Sequence, residues 1–273
     1  MAGPQPSFPK QEQDSPGYDC KMDPVPDYGL NSYKSTGKLQ GKIAIITGGD
    51  SGATIVISYL NEHEDAKEIQ QAISKIRQEC IVVPGDISQE EQCKKIIDIT
   101  VSIFQRIDIL VNNAAYQGKQ LSDITELTHD RVEYTFKTNI IAMFDLVKYA
   151  VPHIPKGGAI INVGSIQAYD PSAEILDYAT TKAAIVGFTK GLARKLLEKG
   201  IRVNCVAPGP VWTPLVVASF PKDKNAKFGE GYPIKRPAQP RELAPAFVFL
   251  ASATDSSYIS GEILAVTDGE PTV

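Results

Sequence analysis

A tyrosine and a lysine four residues apart, Tyr178 and Lys182, stand in the segment GSIQAYDPSAEILDYATTKAAIVGF, with Ser165 thirteen residues before the tyrosine. On a helix that spacing puts phenol and amine on one face, one turn apart. An ammonium beside a phenol favours the phenolate and lowers its pKa from about 10. A phenol tuned in this way can exchange a proton with an alcohol or carbonyl near neutral pH. A serine hydroxyl at the end of a neighbouring strand can hydrogen-bond the same substrate oxygen. A Tyr/Lys pair alone is a common solvated helix face, so the reading depends on what surrounds it.

The surroundings alternate. Short apolar, β-branched runs occur at 42–47, 54–59, 80–84, 108–112, 159–164, 201–206 and 262–266, with helical patterns at 64–79, 89–105, 129–151, 177–199 and 240–251. Ala66, Ile69, Ile73 and Ile76 share one face of the first helix, and Ser88 with Glu91 has capping-box spacing at the start of the second. Strands apolar throughout suit a parallel sheet buried on both faces. Strand–helix alternation over this length predicts a single doubly wound α/β domain over 41–273. Such sheets bind ligands outside their strands' carboxyl ends. Small, polar, glycine-rich segments follow the predicted strands there: TGGDSG (47–52), GDIS (85–88), NNAA (112–115), GSIQAY (164–169) and APGPVWTP (207–214).

Residues 1–40 are different. Pro4, Pro6, Pro9, Pro16, Pro24 and Pro26 exclude helix and central strand, so the segment is either disordered or laid extended on a surface. Tyr18, Tyr28 and Tyr33 as anchors favour an extended arm on its own or a neighbouring subunit. The chain has 28 Lys+Arg against 32 Asp+Glu, a net charge of −4, and no basic stripe, which argues against nucleic acid as a partner. Four scattered cysteines without a C-x-x-C pair read as free thiols in a reducing compartment. With no signal pattern and no apolar run long enough for a membrane span, a cytoplasmic protein is expected. His63, His129 and His153 lack metal-ligand spacing, so no catalytic metal is expected.

Together these motifs resemble those of the short-chain dehydrogenase/reductase family over about residues 38–270, in particular the glucose and ribitol dehydrogenase homologues. The resemblance implies a Rossmann-type fold with NAD or NADP as cofactor. It also implies hydride transfer to or from a carbonyl or secondary alcohol, a sugar or polyol being one candidate. Tyr178 would then be the general acid/base, Lys182 its activating partner and a contact to the nicotinamide ribose, Ser165 the orienter of substrate and Asn139 a member of the proton relay. Thr47, Gly48 and Gly52 would form the cofactor turn. Asp86 and Ile87 would bracket the adenine, Asn113 and Ala114 would lie along the cofactor, and Pro208, Gly209 and Thr213 would flank the nicotinamide. The segment 219–237 would be a substrate lid, and the helices at 129–151 and 177–199 would pair subunits in a homodimer or tetramer.

One stretch departs from the family pattern. KIAIITGGDSGATIVISYL passes from the glycine-rich turn straight into the second strand, leaving Gly48–Ala53 where a crossover helix belongs. Two arrangements are open: a parallel second strand beside exposed apolar sheet surface, or a hairpin. In either, the pyrophosphate loses a helix N-terminus, and cofactor affinity and stability are expected to fall. A binding or oligomer-modulating subunit without turnover, or a deletion variant, is therefore the alternative to an active enzyme. The acidic run after the second strand, with Asn61, Glu62, Glu64, Asp65 and no arginine, gives a weak lean towards NAD, against a simpler reading as a capped, solvated helix start.

Overall fold

The computed structural model describes residues 4–29, 36–48, 54–75, 79–270 and 272. Tyr33, Gly52, Ala53 and Ile76 lie outside them.

Seven strands form one all-parallel sheet in the order β3-β2-β1-β4-β5-β6-β7. They are β1 Ile43–Thr47, β2 Thr54–Tyr59, β3 Cys80–Pro84, β4 Ile109–Asn112, β5 Ala159–Val163, β6 Arg202–Pro208 and β7 Ile263–Val266. The two-residue period sorts their side chains onto two faces. Ile45, Val56, Leu110, Ile160 and Val203 point to one face. They meet α2 (Glu90–Phe104), α4 (Ala142–Ala150) and α5 (Leu176–Leu196). Ala44, Ile46, Ile55, Ile57, Ile109 and Val111 point to the other, where α1 (His63–Lys75) and α8 (Pro240–Ala251) pack with Leu39. The predicted doubly wound sheet with helices on both faces is what forms. No helix among the described residues is long and apolar enough to cross a membrane.

Of the two arrangements open for the first strands, the parallel one is present. Ile43 pairs with Thr54 and Thr47 with Ser58, and the Gly48 amide donates to the Ser58 carbonyl at 2.7 Å. The expected apolar exposure is not found: Ala44, Ile46, Ile55, Ile57, Ile109 and Val111 are all buried. Helices α1 and α8 flank this face of the sheet, and Leu39 packs onto it, so its apolar residues line a cleft rather than open surface.

Two local expectations need correction. Ser88 does not cap α2; the N-cap is Gln89, without a side-chain hydrogen bond. Asp86 instead accepts the Ser88 amide at 2.9 Å, the short Asx turn that aspartate favours after a strand. The 129–151 helix is also not continuous. It divides into α3 (His129–Phe136), a π-helical turn Lys137–Ile141 and α4.

The arm is extended and packs on its own chain. Phe8 and Met22 join Trp212, Val216, Val217 and Phe228 in a separate apolar cluster. The Phe8 amide donates to the Ala226 carbonyl at 2.8 Å and that of Gln13 to Val217 at 3.2 Å. The Trp212 indole donates to the Pro24 carbonyl at 2.7 Å. The arm thus holds α6 (Pro214–Ser219) and α7 (Lys222–Ala226). Trp212 is the chain's one tryptophan and is fully buried, so its fluorescence reports arm docking. Phe8→Ala is expected to cost about 3 kcal/mol and to red-shift Trp212 emission before global unfolding, measured by urea titration followed by fluorescence and circular dichroism. An unshifted emission would show that the arm does not bury the indole.

Candidate active site

The carboxyl ends of six strands, β1 to β6, open onto one cleft of about 1360 Å3. Its lining includes Gly48, Asp86, Ile87, Asn113, Ala114, Ser165, Tyr178, Lys182, Pro208, Gly209 and Thr213. Residues spread over more than 160 positions of sequence are gathered at one sheet edge because every strand before them runs the same way.

The backbone around the cleft is tightly specified. Thr47 Oγ1 accepts the amides of Asn113 and Ala114, both at 3.0 Å, locking the end of β1 to the loop after β4. Asn113 Nδ2 donates back to the carbonyls of Thr47 and Gly48. Gly48 has φ +67° and lies so close that an added Cβ would stand 3.3 Å from Ala114 Cα. Gly209 is constrained differently: a Cβ there would meet Thr267 Cα at 3.0 Å.

Tyr178 and Lys182 lie one turn apart near the start of α5, both buried. Lys182 Nζ sits 5.2 Å from the centre of the Tyr178 ring and donates to the carbonyl of Val163, the last residue of β5, at 2.8 Å. Ser165, two residues further on, hydrogen-bonds the Tyr178 phenol and accepts the Gln167 amide at 3.1 Å. The three residues predicted to act together are together.

Their electrostatics differ from the expectation of a phenol made acidic by its lysine. Burial pushes the Tyr178 phenol up to about 12, with the Ser165 hydrogen bond pulling the other way. Burial also pulls Lys182 down to about 8, opposed by the neighbouring Cys205. Desolvation wins because both groups leave water and no carboxylate compensates either one. An amine poised near neutrality and a protonated phenol are the starting state of the site.

Asn139 is placed differently from the rest. Its side chain is fully buried in the π-helical turn and is consumed locally. Oδ1 accepts the Tyr116 amide at 2.7 Å, and Nδ2 donates to the Tyr116 carbonyl at 2.9 Å and to Thr181 Oγ1 at 3.0 Å. Asn139 therefore fixes the loop after β4 from behind, and it is Thr138 that lines the cleft.

A further contact was not anticipated. Asp177, immediately before Tyr178, has a fully buried side chain that receives Arg131 Nε and Nη2, each at 2.9 Å. Thr135 Oγ1 donates to the same carboxylate at 2.9 Å. The carboxyl lies below its ordinary range: these hydrogen bonds and the Arg131 charge outweigh its burial. Arg131 also donates to the Lys119 carbonyl and packs so closely on Gly118 that a Cβ there would stand 2.5 Å from its guanidinium. This fork ties α3, the loop after β4 and the first turn of α5 together beside the phenol. Losing one partner of such a pair strands a buried charge, at about 3–5 kcal/mol. An Asp directly before the Tyr, with an Arg in the preceding helix, is the only sequence signal for it.

The residues fit a dinucleotide at both ends. The Ser165–Tyr178–Lys182 corner lies on the β5 side of the cleft, and on the β2 side the hydroxyl Ser58 Oγ is buried without a hydrogen-bond partner among the described residues. The cleft, at about 1360 Å3, is larger than a drug-sized pocket of about 300–1,000 Å3. The middle is different: the described residues contain no helix between β1 and β2 whose N-terminus could face a pyrophosphate.

Comparison with known proteins agrees with this geometry. The family model described as Enoyl-(Acyl carrier protein) reductase matches residues 48–270. The glucose and ribitol dehydrogenase of Daucus carota is 44% identical over 96% of this chain and 96% of its own length. The chloroplastic NADPH-dependent aldehyde reductase 1 of Arabidopsis thaliana is also 44% identical, over 95% of this chain and 97% of its own. Among solved structures, the L-sorbose reductase of Gluconobacter frateurii, complexed with NADPH and L-sorbose, superposes with a TM-score of 0.75 at 30% identity, covering 85% of this chain and 97% of that one. The chain belongs to the short-chain dehydrogenase/reductase family of oxidoreductases. Within it, the chain is similar to the glucose and ribitol dehydrogenases over nearly its whole length.

The shifted lysine has a measurable consequence. The native protein holds the Lys182 proton less tightly than the unfolded chain, whose lysine keeps its ordinary 10.5. From pH 8 towards 10 the unfolded state therefore binds more protons and stability rises with pH. Tyr178, raised from 10.0, works in the opposite direction only above pH 10. Thermal melts should show a rise in Tm between pH 8 and 10 that Lys182→Met flattens. An unchanged slope in the variant would place the amine in water.

Proposed function

We propose that the protein is an NADP(H)-dependent reductase or dehydrogenase acting on a carbonyl or secondary alcohol of sugar or polyol type. The observation that carries this reading is the convergence of Ser165, Tyr178 and Lys182 at the carboxyl end of β5, on the same cleft as Asp86, Asn113 and Thr213. When bound, the nicotinamide supplies or accepts the hydride. The chain's own residues hold the substrate and handle the proton. Ser165 hydrogen-bonds the substrate oxygen. Tyr178, protonated at rest, donates its phenolic proton to a carbonyl oxygen as negative charge develops there; in the reverse direction the phenol must first give up its proton to solvent, and the phenolate then takes one from the alcohol. Lys182, lowered to about 8 yet still mostly protonated at neutral pH, supplies positive charge beside the phenolate as it forms. Phe220, Phe228 and Tyr232, from the segment 219–237, wall the cleft and exclude water from it.

The sequence's lean towards NAD loses its support. Glu62, one residue of that acidic run, turns back to accept the amides of Leu60 and Asn61 at 3.0 and 2.9 Å, as in the simpler reading of a capped helix start. An NADPH-linked relative and NADP-bound structural neighbours favour the phosphorylated cofactor. A homo-oligomer is part of the same reading. Ile141 and Phe144 are large, apolar and exposed beside Phe188 on the α4–α5 side, a patch suited to a second copy. Four free thiols suit a reducing compartment.

A second reading, a nucleotide-binding subunit without turnover, is favoured by the short β1–β2 connection. One assay separates the two. Reduction of aldehydes and ketoses, and oxidation of polyols, is followed at the nicotinamide absorbance. The proposal expects turnover that Tyr178→Phe lowers by at least about 100-fold while NADP(H) binding is retained. Cofactor binding with no turnover across the panel would establish the second reading.

A further inference from the structure

The arm does more than hold the lid. After Gln13 has paired with Val217, the chain turns at Ser15–Pro16, and Gly17 comes against Pro214, the first residue of α6. Gly17 has φ +81°, and a Cβ there would stand 3.0 Å from Pro214 Cβ and from its carbonyl oxygen. Two residues later the Asp19 amide donates to Asp65 Oδ2, in the first turn of α1, at 3.0 Å. Cys20 hydrogen-bonds the same carboxylate. Residues 17–20 thus join the segment after β6 to the helix after β2, the two sides of the cleft.

The return limb is also fastened. The Tyr28 hydroxyl donates to Asp19 Oδ1. The Asp27 amide donates to Gln239 Oε1 at 2.8 Å, and Arg241 pairs with the Asp27 carboxylate at 3.0 Å, at the start of α8. Pro16, Gly17, Asp19 and Tyr28 line the same cavity as Ser165, Tyr178 and Lys182.

The roof so formed carries the wrong charge for a dinucleotide. Asp19 lies within electrostatic reach of Asp65, Glu68 and Glu62, and its own carboxyl is pushed up to about 6 by burial and by those neighbours, despite the Tyr28 hydrogen bond. Phosphates approaching this roof meet like charge in a partly desolvated cleft, where repulsion is stronger than in water.

We propose that Gly17–Asp19 form an autoinhibitory strap across the dinucleotide cleft, anchored on Pro214 of α6 and Asp65 of α1, which the cofactor displaces in order to bind. The inference rests on the dinucleotide reading of the cleft given above. The apparent dissociation constant is then the intrinsic one divided by the fraction of molecules with the strap open.

Two substitutions loosen the strap without changing its charge. Gly17→Val forces an L side chain into a left-handed backbone against Pro214, and Tyr28→Phe removes the hydroxyl that holds Asp19. The full chain and both variants are titrated with NADP+ by calorimetry, and tryptic cleavage at the exposed Lys21 is timed with and without the nucleotide. The strap predicts binding about tenfold tighter in each variant, faster cleavage of the free variants than of the free parent, and faster cleavage of the parent once NADP+ is added. Equal affinity in all three proteins, or protection of Lys21 by NADP+, would overturn the strap and leave the oxidoreductase reading intact. No binding by any of them would overturn the dinucleotide reading, and the strap with it.

Discussion

The parallel pairing of β1 and β2 across six residues is the constraint on which the rest of the molecule depends. Thr47 ends β1 at the carboxyl edge of the sheet, and Thr54 begins β2 beside Ile43 at the amino edge. The chain must therefore return about 13 Å along the strand axis and one strand spacing sideways. Residues 48–53 can span about 20 Å when extended, so the return is possible without a helix. Parallel strands are ordinarily joined by a crossover of a dozen residues or more. Here the order of the sheet is kept, and with it the direction of every loop that reaches the cleft.

That economy has two consequences. The corner of Ser165, Tyr178 and Lys182 is untouched, because these residues depend on β5 and α5, and the loop after β4 is fixed by Thr47, Asn139 and Arg131. The sheet face that a crossover helix would cover instead opens into a cleft continuous with the active site, flanked by α1 and α8 and crossed by the arm. Proton-transfer chemistry and cofactor retention are thus set by different parts of the chain. The first rests on desolvated side chains in a rigid corner, and the second is opposed by the acidic roof that the proposed strap lays across the cleft.

Much of this was legible in the sequence. The strands were marked by short apolar runs whose ends fall within two residues of those observed, because burial on both faces leaves little room for polar residues. Ser165, Tyr178 and Lys182 were legible because the spacing that puts them on one helix face also puts them beside one strand end. The Asp177–Arg131 fork was not, since a single charged residue in a helix carries no sign of the partner that will bury it. The phenol's rise towards 12 was missed because spacing gives proximity to Lys182 but not the depth of burial that outweighs it. Ser88 had capping spacing yet lost the position to Gln89, since Asp86 drew the Ser88 amide into an Asx turn. The arm's prolines announced an extended segment, but where it lies is fixed by Trp212, Asp65 and Gln239, residues more than forty positions away.

The central claim is that β1 and β2 are parallel neighbours although only six residues join them, and backbone hydrogen bonds read that directly. A trans-hydrogen-bond scalar coupling experiment on deuterated, 15N/13C-labelled protein should correlate the Gly48 amide with the Ser58 carbonyl and the Thr54 amide with the Lys42 carbonyl. Correlations in an antiparallel register, pairing residues near Thr47 with residues near Thr54, would contradict the account, and the cleft derived from it would have to be abandoned.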